Sequence, residues 1–167
     1  AFANNTRTLG VSAETLRCLE LAGTASLVHP LPLDPDRVII SQLNEMTLAA
    51  NYYLYNLKSG QSELLFRANT RSSPGLFHPR TGEVLTRNEL ESIGPDEYEQ
   101  RVQVKNKSGQ FEVHPALSTK LTERYTVDVV GIDDASGKFY VLTDQFSDLV
   151  QARLYDPVAR RYDDEPL

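Results

Sequence analysis

One tetrapeptide constrains the chain more than any other feature. Lys58-Ser59-Gly60-Gln61 returns as Lys107-Ser108-Gly109-Gln110, a shift of 49 residues from Gly60 to Gly109. A degenerate third echo pairs Leu54-Tyr55-Asn56-Leu57 with Leu154-Tyr155-Asp156-Pro157, a shift of 100 residues, or about two periods. Four residues alone would be weak, but each copy sits between strand-like runs. Tyr52-Tyr53-Leu54-Tyr55-Asn56-Leu57 precedes the first and Ser62-Glu63-Leu64-Leu65-Phe66 follows it, while Arg101-Val102-Gln103-Val104 and Phe111-Glu112-Val113 flank the second. A glycine turn between two such runs is a β-hairpin, because glycine takes a positive φ without steric cost.

Each hairpin is preceded by another. Leu31-Pro32-Leu33-Asp34-Pro35-Asp36-Arg37 leads into Val38-Ile39-Ile40-Ser41, His78-Pro79-Arg80-Thr81-Gly82-Glu83 into Val84-Leu85-Thr86, and Asp133-Asp134-Ala135-Ser136-Gly137-Lys138 into Phe139-Tyr140-Val141-Leu142-Thr143. One unit therefore reads strand, tight turn, strand, looser loop, strand, Lys-Ser-Gly turn, strand. A four-stranded antiparallel meander with a period of roughly 40–50 residues is the blade of a β-propeller. The expected fold is all-β: a partial β-propeller with blades at 26–68, 75–118 and 125–167, the last either whole or incomplete, and with residues 1–24 as the outer strands of a preceding blade. In that first stretch Arg7-Thr8-Leu9-Gly10 and Thr15-Leu16-Arg17-Cys18-Leu19 would flank a turn; a short helix opening at Ser12 is the competing reading. A β-sandwich also yields short strands at such spacing, but gives no reason for Lys-Ser-Gly-Gln to recur at a blade-like interval.

Composition sets the limits. With 167 residues, 40% hydrophobic and 24% charged, the chain is long enough for a core. Seventeen basic against 23 acidic residues give a net charge of -6, which leaves out the basic footprint of a nucleic-acid or membrane-surface binder. Apolar runs of only a few residues argue against a transmembrane helix. The single cysteine, Cys18, can form no intrachain disulfide, suits either cytoplasm or periplasm, and reads as a small strand residue. A start without Met and an abrupt acidic end, Asp163-Asp164-Glu165-Pro166-Leu167, fit a piece of a longer protein.

No residue is assigned a catalytic, cofactor-binding or metal-binding role. There is no Gly-x-Ser-x-Gly elbow, no phosphate-cradling loop and no His-Glu-x-x-His pair. His29, His78 and His114 each precede a proline, which makes them turn entries. His29 and His78 are 49 residues apart and would take equivalent places in successive blades, whereas His114 is out of that register. Asp133-Asp134 in a turn, Glu97 and Glu99 around Tyr98 in a loop, and Asp163-Asp164-Glu165 near the end read as solvated charge. Asp34-Pro35-Asp36 and Asp133-Asp134 lack calcium-loop spacing. Alternation places Tyr53 and Tyr55 on one face of a strand and Tyr52 and Leu54 on the other, both faces buried if the blade is central.

These segments resemble a known family. Leu27-Val28-His29-Pro30-Leu31-Pro32-Leu33-Asp34-Pro35-Asp36-Arg37-Val38-Ile39-Ile40-Ser41, the hairpin Tyr53-Leu54-Tyr55-Asn56-Leu57-Lys58-Ser59-Gly60, and Asp134-Ala135-Ser136-Gly137-Lys138-Phe139-Tyr140-Val141-Leu142-Thr143-Asp144 are similar to passages in the propeller domain of prolyl-oligopeptidase-type serine peptidases. The resemblance spans most of residues 26–167. It implies a parent with a separate α/β-hydrolase domain carrying a Ser-Asp-His triad, a peptide substrate, no cofactor, and a propeller that gates access. No position here matches the triad motifs, so this chain alone would be catalytically silent. A non-enzymatic propeller that scaffolds a protein partner, similar to the periplasmic propeller of the Tol system, is the alternative. With fewer blades than a closed ring, the isolated segment is expected to self-associate.

Overall fold

The computed structural model describes residues 25–44, 47 and 49–167. The strands expected in residues 1–24, and Cys18 with them, lie outside the described residues. The described chain is built from three antiparallel sheets joined in sequence order. The first is β1 (Ala25–Pro30), β2 (Arg37–Asn44), β3 (Ala49–Asn56) and β4 (Ser62–Arg67), paired in that order. In the second, β5 (Ser72–Pro74), β6 (Thr86–Gly94), β7 (Glu97–Lys105) and β8 (Phe111–Val113) follow one another, and a short β9 (Thr119–Lys120) returns to pair with β7. The third is β10 (Val127–Ile132), β11 (Phe139–Thr143), β12 (Gln151–Asp156) and β13 (Arg161–Tyr162).

The turns explain why the chain folds back where it does. In the hairpin between β3 and β4, the Asn56 side-chain oxygen accepts the backbone N–H groups of Lys58 and Ser59, both at 2.9 Å, and Gly60 takes a φ of 69°. The same device recurs 50 residues on: Asn106 Oδ1 accepts Ser108 N–H at 2.9 Å and Gln110 N–H at 3.0 Å, and Gly109 has a φ of 83°. A third copy closes the last hairpin, where Asp156 accepts Val158 N–H at 2.8 Å and Ala159 N–H at 2.9 Å. Here Arg160, not glycine, takes the left-handed position, at φ 56°. A short polar side chain that holds its own loop amides substitutes for the missing ladder bonds of the turn.

The earlier hairpin of each unit is closed in a related way. Asp34 accepts Asp36 N–H at 3.1 Å, and Asp133 accepts Ala135 and Ser136 N–H at 3.3 and 3.2 Å. In the second sheet His78 takes the acidic residue's place: its Nδ1 accepts Arg80 N–H at 3.2 Å, while Gly82 N–H bonds to His78 O at 2.9 Å. His78 is therefore part of a turn through its side chain and not merely a turn entry.

Two sequence expectations need correction in the second sheet. The link between β6 and β7 is not a looser loop: Gly94 pairs with Glu97, and Asp96 turns the chain at φ 58°. Glu97 and Glu99 are consequently strand residues of β7, and Glu99 accepts Arg101 Nε at 2.7 Å.

Alternation sorts side chains into two packed layers. Between the first and second sheets lie Leu31, Ile39, Leu54, Phe77 and Val84, with Tyr52, Leu65, Phe66 and Phe111 against them. Between the second and third lie Leu76, Val102, Val104, Leu117, Phe139, Val141 and Tyr155. Among the described residues, the middle sheet is thus covered on both faces and the outer two on one. Tyr53 and Tyr55 do share a face, as alternation dictates, but it is the face of the first sheet turned away from that core, where both are half-buried.

Two glycines separate backbone strain from crowding. Gly82 (φ 74°) and Gly137 (φ 72°) share a left-handed conformation, which costs an L-residue about 1–2 kcal/mol. A Cβ on Gly82 would fall 2.9 Å from Leu54 Cδ1, whereas one on Gly137 meets nothing within 4 Å. Because Leu54 is fixed in the core, Gly82→Ala is expected to destabilise by about 1–3 kcal/mol more than Gly137→Ala, read as the difference between their urea unfolding free energies.

Candidate functional site

The second and third sheets meet at a cleft of ≈ 450 Å³ lined by Val104, Lys105, Asn106, Lys107, Ser108, Glu112, His114, Pro157, Val158 and Arg160. Its two walls are the second and third copies of the side-chain-closed turn, so the repeat itself builds the cleft. His114 enters from the end of β8, where Pro115 starts a single 3-10 turn, Pro115–Leu117. The His114 carbonyl accepts both Leu117 N–H and Ser118 Oγ–H, each at 3.0 Å, and Ser118 Oγ accepts Val102 N–H at 3.1 Å. This fixes the imidazole against β12.

His114 is 3% exposed and Tyr155 is fully buried. His114 Nδ1 lies 2.8 Å from the Tyr155 hydroxyl, and the rings meet edge-on with centroids 5.8 Å apart. Burial pushes the Tyr155 phenol up to about 12, so it keeps its proton throughout the neutral range. Burial also pushes the imidazole of His114 below its usual value; the nearby Arg160 guanidinium adds to that and Glu112 opposes it. Nearer solvent, Arg160 is ion-paired with Glu112, which also accepts Asn106 Nδ2 at 2.5 Å. The Asn106 bond, ahead of Arg160, holds the Glu112 carboxyl below the ordinary carboxylate range.

This arrangement joins two sheets. It offers no activated nucleophile: Ser108 Oγ donates to Asn106 Oδ1 at 2.7 Å within its own turn, and the tyrosine stays neutral. The open part of the cleft combines an apolar wall of Val104, Pro157 and Val158 with the cationic Lys105, Lys107 and Arg160 around it, and Lys105 is paired to Glu83 at 2.8 Å.

The structure does not bring the three histidines together. His29 lies in β1 of the first sheet, His78 closes a turn with Nε2 3.9 Å from Asp134 of the third sheet, and His114 faces Tyr155. Asp133 is held low by its hydrogen bond from Ser136, with the backbone amides of its turn adding to it. Asp163 is paired with Lys138 at 2.8 Å, Asp34 with Arg37 at 2.6 Å and Asp36 with Lys58 at 2.7 Å. Sequence reasoning missed the His114–Tyr155 contact and the Glu112–Arg160 pair, each of which joins side chains more than 40 residues apart. The echo of Tyr55-Asn56 in Tyr155-Asp156 was the one available signal.

Compared with models of protein families, with curated proteins and with solved structures, the chain finds no match.

The buried imidazole predicts an acid dependence with a definite sign. His114 binds its proton less readily folded than unfolded, so the unfolded state takes up more protons as pH falls. Stability is full above the unfolded imidazole value of about 6.5 and declines as pH drops from there towards the lower folded value. His114→Gln should flatten the part of that decline that His114 causes, seen as a smaller loss of urea midpoint between about pH 7 and pH 5 than in the parent chain. Equal losses in the two proteins would contradict it.

Proposed function

We propose that the three sheets are successive blades of a β-propeller, and that the chain serves as a non-catalytic propeller segment of a larger serine peptidase of the prolyl-oligopeptidase type. The observation that carries the blade reading is the recurrence of one side-chain-closed hairpin at Asn56, Asn106 and Asp156, in three meanders that pack face to face in sequence order. Three sheets are fewer than the roughly 4–8 blades of a closed ring. The peptidase reading rests on the sequence resemblance carried by Leu27–Ser41, Tyr53–Gly60 and Asp134–Asp144. In such a parent the propeller narrows the path to a separate hydrolase domain, so that only small or unfolded peptides enter.

A fluorophosphonate probe, which phosphonylates an activated serine, tests this. The full-length protein should label at one serine outside these 167 residues, and the 167-residue chain should not label. Labelling within the chain overturns its silent role. Absence of labelling anywhere in the full-length protein overturns the peptidase reading and favours a scaffold that binds a protein partner.

A further inference from the structure

Each sheet has two faces, and the internal contacts follow one rule. Leu54 and Tyr52 of the first sheet face the second sheet. The matching residues of the second sheet, Val104 and Val102, each stand two and four positions before the turn-closing Asn106, and they face the third. The opposite face is the receiving one: Phe139, Val141 and Tyr155 of the third sheet receive the second, and Phe111 of the second receives the first. One presenting-on-receiving contact therefore occurs twice within the chain.

Among the described residues it leaves one face of each kind uncovered. On the third sheet, cross-strand pairing aligns Tyr140 with Leu154 and Leu142 with Ala152, opposite the buried Phe139, Val141 and Tyr155. This is the presenting face, and Tyr140 and Leu142 are 36% and 37% exposed. On the first sheet, Leu27, Ile40, Tyr53 and Leu64 align in one row across four strands, and Val38 pairs with Tyr55 beside it. This is the receiving face, with Leu27 65% and Leu64 40% exposed. Both are apolar sheet faces of a kind that the chain elsewhere buries.

We propose that the isolated chain forms a closed head-to-tail dimer, in which the Tyr140/Leu142/Leu154 face of each copy packs on the Val38/Ile40/Tyr53/Leu64 face of the other. The argument for this occupant is that each end carries the complement the other end lacks, in a contact already made twice inside one copy. A head-to-tail contact that closes gives a ring, and one that does not gives an open filament. The described residues of two copies bring six sheets, within the roughly 4–8 that close a propeller. This inference rests on the blade reading above, but not on the peptidase reading.

Light scattering and native mass spectrometry on the 167-residue chain test it, with Tyr53→Lys on one face and Leu142→Lys on the other. Neither side chain lies in the two internal core layers, and circular dichroism of the variants checks that they fold. The parent chain should have twice the monomer mass. Each variant should weaken the dimer more than about tenfold, because an unpaired ammonium would be desolvated in an apolar junction. An equimolar mixture should recover dimer beyond either variant alone, since one junction then pairs an intact Leu142 face with an intact Tyr53 face. A monomeric parent, a ladder of larger species, a variant that leaves the dimer intact, or a mixture no better than its components each overturns the closed head-to-tail dimer. Fluorophosphonate labelling of the full-length protein is unaffected by any of these results, so the two readings fail separately.

Discussion

Tyr155→Ala is expected to remove about 3–5 kcal/mol of folding stability, the range for truncating a buried aromatic. Tyr155 has no exposed surface and sits in the layer between the second and third sheets. Its ring meets Tyr162 edge-on with centroids 5.1 Å apart and His114 at 5.8 Å. Truncation opens a cavity between two sheets whose backbones are held by their own ladders, so the site has little freedom to collapse. It also strips His114 Nδ1 of its partner at 2.8 Å. Tyr155→Phe isolates that second effect. The ring stays and the buried imidazole nitrogen loses its hydrogen bond, a cost of about 1–3 kcal/mol. Urea unfolding of both variants with linear extrapolation separates the terms. A Tyr155→Ala loss no larger than that of Tyr155→Phe would mean that the hydrogen bond, not the packing, holds the two sheets together.

The local grammar of this chain was legible because its determinants are local. Asn56 and Asn106 close their turns with amides two to four residues away, and Gly60 and Gly109 supply the left-handed backbone. Strand faces followed from alternation: Tyr52 with Leu54, and Tyr53 with Tyr55. The third turn was harder to see, since Arg160 adopts the conformation that glycine holds in the other two. A residue of that type carries no turn signal, and what holds it there includes an ion pair to Glu112, 48 positions earlier in the chain. The β6–β7 turn was missed for the opposite reason. Gly94-Pro95-Asp96 is a turn signal on its own, and a single grammar for all three units, with a looser loop at this place, hides it.

The candidate site was hidden by distance along the chain. His114 beside Pro115 looks like any strand exit; only the packing of the third sheet onto the second, which brings Tyr155 to it, makes it a buried titratable group. In the same way His78 resembles His29 in sequence, each followed by proline, yet His78 occupies the turn position that Asp133 fills in the next unit. An imidazole nitrogen can accept loop amides as a carboxylate does, which explains how one repeat position holds either residue. Which strand face is covered is likewise not a property of the strand. Tyr53 and Gln103 stand at matching positions, and the first faces outward while the second is buried, because among the described residues only the second has a sheet on that side.

Phe77→Ala should separate the sheets energetically. Phe77 projects from the second sheet into the first-sheet layer, is 5% exposed, and lies 6.2 Å from the Tyr52 ring. Polar links across this junction are weak by comparison: Leu33 N–H to Pro79 O at 3.4 Å and Arg37 Nη2 to Arg80 O at 3.3 Å. Truncation is expected to cost about 3–5 kcal/mol, and the loss should not be spread evenly. In an array where each unit touches only its neighbours, stability is close to a sum of unit and junction terms. Among the described residues the first sheet has one junction and loses its main anchor, whereas the third keeps the layer centred on Tyr155. Native-state hydrogen exchange should therefore show faster exchange at β2 and β3, with β11 and β12 protected as in the parent chain. Equal acceleration in all three sheets would show that the chain opens as one cooperative unit, and the nearest-neighbour account of its stability would fall.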